Sequence, residues 1–89
     1  MENIGLVVEL FESASFVNTR IVVILFHSGV NCFVGMELFS KDMQLFKVTG
    51  IVFETISEEN RIMCEVSGQV SGLMVGDEIY RNGLSHYRD

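Results

Sequence analysis

The chain has no proline and no tryptophan, and it sets only six Lys and Arg against twelve Asp and Glu. Each shortage removes a class of function. A phosphate-binding surface needs clustered cations that release counterions. Here the nearest basic pair along the sequence is Lys41 and Lys47, and the net charge is -6. The charge is spread evenly: residues 1–44 hold two basic and five acidic groups, and residues 45–89 hold four and seven. Nucleic-acid binding is therefore disfavoured. The longest strictly apolar run, Ile21 to Phe26, falls far short of the roughly 18 residues that span a bilayer, so no membrane segment is expected. Two cysteines, Cys32 and Cys64, do not make a disulfide framework. The start, Met1-Glu2-Asn3, lacks the basic and apolar regions of a secretory signal. Reduced thiols in a cytoplasmic protein are the expectation.

Apolar residues are plentiful, at 48% of the 89 residues with 20% charged. That is enough for one core, too short a chain for two, and too apolar for a disordered segment. The mean hydropathy of +0.35 leaves apolar surface for a protein partner or a second copy.

Helical periodicity is nearly absent. Ile4 to Phe11 alternates, with Leu6, Val8 and Leu10 on one face of an extended chain. Thr19 to Phe26 is dense in β-branched residues and reads as a strand covered on both faces. Met36 to Phe39, Gln44 to Ile56, Arg61 to Ser67 and Leu73 to Tyr80 complete the set. Within the longest, Phe46, Val48 and Val52 are placed on one face, and Gly50 marks a bulge. Ser40 to Met43 and Ser57 to Asn60 read as turns. Six or seven short strands at this spacing predict an all-β fold, a small closed antiparallel barrel. Residues 1–80 form its single domain, and residues 81–89 form a polar C-terminal tail.

A local echo is present. Val34-Gly35-Met36-Glu37-Leu38-Phe39 matches Val75-Gly76-Asp77-Glu78-Ile79-Tyr80 in residue type at nearly every position. The two read as one structural solution used twice, a glycine turn feeding a strand.

Taken in order, Val22-Val23, Gly29, Val34 to Leu38, Phe46-Lys47-Val48-Thr49-Gly50-Ile51 and Gly72 to Ile79 resemble domain 2 of the translational GTPases, the β-barrel of elongation factor Tu and its relatives. The resemblance covers residues 19–80 and implies a translation-factor-like barrel that contacts RNA or neighbouring domains. The sequence departs from the family at Met36, where an acidic residue is usual, and in the short segment from Ile56 to Gly72. It contains no Gly-x-x-x-x-Gly-Lys-Ser/Thr phosphate loop.

The residues that could carry chemistry are few. His27, His86, Cys32 and Cys64 show none of the tight spacings of a closed zinc site. Cys32 and His27 flank a turn, but nothing nearby supplies an orienting third group. Glu58-Glu59 and Asp77-Glu78 lie in turn-like sequence, where carboxylates stay solvated. Asp77 is placed to cap its own turn. Phe11, Phe26, Phe46 and Phe53 read as core, whereas Phe33 and Phe39 read as edges of a binding patch. No catalytic, cofactor-binding or metal residue is assigned, and no cofactor is expected. The resulting expectation is a non-catalytic binding or adaptor module that engages a protein partner or itself, with an RNA- or ribosome-associated accessory protein as the alternative. Far-ultraviolet circular dichroism is expected to be dominated by strand, and a helical spectrum would overturn the barrel assignment.

Overall fold

The computed structural model describes residues 1–12, 18–54 and 60–83. It contains β1 (Glu2–Glu12), β2 (Thr19–Phe26), β3 (Glu37–Phe39), β4 (Leu45–Glu54), β5 (Asn60–Gly68) and β6 (Glu78–Arg81). All pairings are antiparallel, and the sheet closes in the order β1-β2-β5-β4-β3-β6. The fold is thus an all-β closed barrel of six strands. No helix of the described residues is long and apolar enough to cross a membrane.

The inward side chains fill the cylinder. Ile4, Val7, Val22, Ile24, Leu38, Phe46, Val48, Ile62, Cys64, Val66 and Ile79 form one buried cluster. Burying each large aliphatic contributes about 1.5–3 kcal/mol. The alternation of Ile62, Cys64 and Val66 along β5 follows the sequence reading. In β2, Val22, Val23 and Ile24 are all buried, as expected for a strand covered on both faces.

Bulges alter the other faces. β1 slips register between Val7 and Glu9, and β4 slips between Val48 and Gly50 and again between Ile51 and Phe53. Leu6 is therefore exposed, while Val7 is buried and Leu10 packs on the core. Phe11, expected inside, is 45% exposed. Val52 does not share the face of Phe46 and Val48 but is exposed. Each slip inserts an extra residue, and the side-chain alternation inverts beyond it.

The expected strand from Leu73 to Tyr80 also differs. Leu73 to Asp77 belong to a turn, and only Glu78–Arg81 are extended. β6 runs one residue past the expected barrel boundary, since Arg81 pairs with Glu2 in the sheet and its Nε donates to the Glu2 carboxylate at 2.9 Å. Residues 13–17, 55–59 and 84–89 lie outside the described residues, among them most of the turn expected from Ser57 to Asn60, while Asn60 itself opens β5.

The echo in the sequence belongs to a larger symmetry. β1, β2 and β3 repeat as β4, β5 and β6 about a pseudo-twofold axis. β3 starts from the turn Phe33 to Met36, closed by Met36 N–H to Phe33 C=O at 3.1 Å. β6 starts from the turn Met74 to Asp77, closed the same way at 3.0 Å. Gly35 N–H donates to Val48 C=O, and Val48 N–H donates to Met36 C=O. Gly76 N–H and Asp77 C=O make the same two bonds with Val7. Both glycines have positive φ, 97° and 98°. The axis passes between the paired residues Val22 and Cys64 on one wall and between Phe39 and Tyr80 on the other.

Near each mouth a glycine faces an aromatic across the sheet: Gly5 opposite Phe26, and Gly68 opposite Phe46. The two pairs occupy equivalent places, with glycine and phenylalanine exchanged. Both rings are buried. A Cβ on Gly68 would lie 3.0 Å from the Leu45 carbonyl oxygen and the Phe46 Cα. The connections between β2 and β3 and between β5 and β6 then fold inward, so Val30 and Met36 close one end and Val70 and Leu73 the other. Asn60 Nδ2 donates to Val30 C=O at 2.7 Å and fixes the first connection.

Among the described residues, two that are not glycine have left-handed backbone, and Asn18 is a residue type that tolerates it while Met43 is not. Met43 has φ 67° in the tight β3–β4 turn, where the buried Ser40 hydroxyl oxygen accepts the N–H groups of Asp42 and Gln44. Three outcomes are expected in thermal denaturation. Met43→Gly should stabilise by about 1 kcal/mol. Gly35→Val and Gly76→Val meet open space and should cost about 1–2 kcal/mol each through backbone strain. Gly68→Ala adds a backbone collision to its φ of 125° and should cost more than either. Unchanged melting temperatures in the last three would overturn these turn and pair assignments.

Candidate strand-docking edge

The chemistry-bearing residues do not converge. Among the described residues, no three of His, Cys, Asp and Glu gather as a metal site would require. His27 ends β2, where its N–H donates to Ile4 C=O and its C=O accepts from Val30. Asp77 serves its turn, its carboxylate accepting the Met74 N–H at 3.0 Å. Glu78 accepts the Tyr80 hydroxyl at 2.8 Å, and that bond, with burial and the carboxylate's charge, pushes the Tyr80 phenol up. Glu58, Glu59 and His86 lie outside the described residues, and nothing is described of the Phe53 side chain. Cys32 and Cys64 are both free, the first half-buried and the second buried, and the neighbouring Cys32 thiol together with burial pushes the Cys64 thiol up.

The backbone offers more than these side chains do. β3 is three residues long and covers β4 only from Leu45 to Lys47, with the Gly35–Met36 turn adding Val48. Beyond Val48, β4 runs on to Glu54 and pairs with β5 alone. Among the described residues, no strand covers the other edge of residues 50–54. The same holds on the twofold-related side, where β6 and its turn cover β1 only to Val7 and leave residues 9–12 open. Among the described residues these edges have no pairing strand, and the N–H and C=O groups of such an edge template an added strand.

The two edges differ in charge. On β1 the open stretch is Glu9-Leu10-Phe11-Glu12, with a carboxylate at each end. On β4 it is Gly50-Ile51-Val52-Phe53-Glu54, with one carboxylate at the far end. Charged residues on an edge block pairing with other chains. β1 is guarded in this sense, and β4 is not.

Exposed apolar side chains accompany the β4 edge. Val52 is 54% exposed. Phe33 and Val34 are 57% and 59% exposed in the turn clasped to Val48, where the open stretch begins. Phe33, expected at the edge of a patch, is exposed beside this edge. Phe39 is half-buried at the opposite end of β3 and does not join it. Val52 was not legible as a surface residue, because its exposure follows from two bulges. Val34 had a signal in the echo: an apolar residue just before a turn glycine points outward in both copies, and Val75 is 61% exposed.

No protein-family model matches the chain, and neither a curated protein nor a solved structure matches it.

Proposed function

We propose that the protein is a non-catalytic binding module that takes an extended segment of a protein onto the open edge of β4. The observation that carries this reading is an unguarded, apolar strand edge on an otherwise closed barrel. Main-chain hydrogen bonds would hold the incoming strand, and the exposed Phe33, Val34 and Val52 would meet its apolar side chains. A second copy is an admissible occupant. Antiparallel pairing of two β4 edges centred between Ile51 and Val52 sets Glu54 against Thr49, so no like charges meet. On β1 the equivalent self-pairing would oppose Glu9 and Glu12 of one copy to Glu12 and Glu9 of the other, with repulsion at both ends.

The resemblance to domain 2 of the translational GTPases belongs to the same reading. A closed antiparallel six-strand barrel with a bulge before Gly50 supports it. In that family the barrel contacts neighbouring domains as well as RNA. The net charge of -6 favours the protein contact over the RNA contact here.

Salt separates the two. Retention of a protein partner, or self-association in sedimentation, is expected to persist at about 1 M salt, where screening acts beyond about 3 Å. Val52→Lys is expected to abolish that association without lowering the melting temperature, while Glu9→Lys leaves it intact. A bound RNA shed as salt rises, with Val52→Lys indistinguishable from the parent protein, would replace this reading by the RNA-associated one.

A further inference from the structure

The Val48 N–H donates to Met36 C=O at 3.0 Å, and the Val48 C=O accepts from Gly35 N–H at 2.7 Å. Both main-chain groups of Val48 thus face away from β5. In an antiparallel ladder, pairs that exchange both bonds alternate with pairs that exchange none. Along β5, whose ladder with β2 has no slip, Val66 opposite Val48 is of the second kind. Glu65 opposite Gly50 is then of the first kind, and Cys64 opposite Ile51 is again of the second. The N–H and C=O of Ile51 therefore point to the side that Val48 uses, where no strand lies among the described residues. The Ile51 side chain packs on the core, as Val48 does.

The neighbours of Ile51 are unlike. Val52 is exposed. Gly50 is bare, and a Cβ there would meet only Glu65, at 3.8 Å. An added antiparallel strand centred on Ile51 brings its own residues beside Gly50 and Val52. A second copy of β4 fits both places at once. Ile51 faces Ile51, each donating its N–H to the other's C=O, and each Val52 lies over the other chain's Gly50. Charge alone allows a centre between Ile51 and Val52; the direction of the main-chain groups moves it to Ile51. No charged residue occurs from Gly50 to Phe53. Beyond Val52 each strand runs toward the other copy's turn, where Phe33 and Val34 are exposed. The twofold-related stretch of β1 lacks this fit. Glu9 stands where β4 has Gly50, and Phe11 where it has Val52, so each copy would press a phenyl ring onto the other's carboxylate side chain.

We propose that the protein is a twofold dimer in which two β4 strands pair antiparallel about Ile51, the Val52 of each copy seated on Gly50 of the other. This rests on the reading of the β4 edge as the docking edge and names a second copy of the chain as its occupant. The pairing is isologous, so it closes on two copies. It joins the two barrels through one continuous sheet and leaves both β1 edges outside the contact.

The test is sedimentation of the full chain over a range of concentrations, with melting temperatures measured alongside. The expected result is a species of twice the chain mass that dissociates on dilution. Val52→Lys charges the edge and is expected to raise the dissociation constant about tenfold or more. Gly50→Val fills the place of the incoming valine and is expected to raise it by about tenfold as well. Gly50 has open space and no left-handed φ, so that variant keeps its fold. Phe11→Lys, at the twofold-related position of β1, is expected to leave the dimer unchanged. An uncharged peptide of alternating valine and threonine, titrated onto the chain, separates this proposal from the reading beneath it. A chain that stays monomeric yet binds the peptide, and loses it in Val52→Lys, would overturn self-pairing and leave the edge reading in place. A monomer that binds no such peptide would overturn both. A dimer left unchanged by either β4 variant, or species that grow beyond the dimer as β1 and β4 edges join head to tail, would overturn the proposal.

Discussion

The cylinder closes through a single pair of residues. Phe39 opposite Tyr80 joins β3 to β6, and across the barrel β2 and β5 are zipped along eight pairs from Thr19–Ser67 to Phe26–Asn60. A sheet whose last two strands are three and four residues long cannot close by ladder hydrogen bonds alone. The two glycine turns supply the difference. Each contributes two main-chain bonds to the adjoining long strand, at Val48 and at Val7, and so extends a short strand by a turn's width. Leu38 and Ile79, both fully buried, then draw β3 and β6 inward by apolar burial. Closure therefore rests on packing as much as on pairing.

That arrangement creates the open edges. Because β3 and β6 are short, the long strands β1 and β4 outrun them, and each continues as a two-stranded hairpin with β2 or β5. A barrel with strands of equal length would have no edge to offer. The guard residues Glu9 and Glu12 on one hairpin, and their near absence on the other, make two geometrically equivalent arms chemically unequal. Symmetry of the backbone thus coexists with specialisation of the surface.

Much of this fold was legible in the sequence. The bounds of β2, the alternation in β5, the bulge before Gly50 and the turn role of Asp77 all follow from residue type, because burial and backbone freedom at those positions leave one solution. The faces of Leu6, Val8 and Leu10, of Phe11 and of Val52 did not. A register slip moves every later side chain across the sheet, and its position depends on the partner strand, which local pattern does not encode. Met43 was unreadable for another reason. Left-handed backbone conformation normally announces itself as glycine or asparagine, and here the Ser40 hydroxyl imposes it on an unsuited residue. The open edge of β4 was invisible because a sequence shows which residues can form a strand, not on which sides that strand will find neighbours.

The pseudo-twofold axis carries an implication about the chain connection. The β2–β5 ladder, the Phe39–Tyr80 pair and the two glycine turns map onto themselves or one another when the first three strands and the last three exchange roles. Two separate copies of one three-stranded segment would satisfy the same scheme without any covalent link between them. The covalent link between β3 and β4 is thus the one feature that the symmetry of the pairing scheme does not itself require.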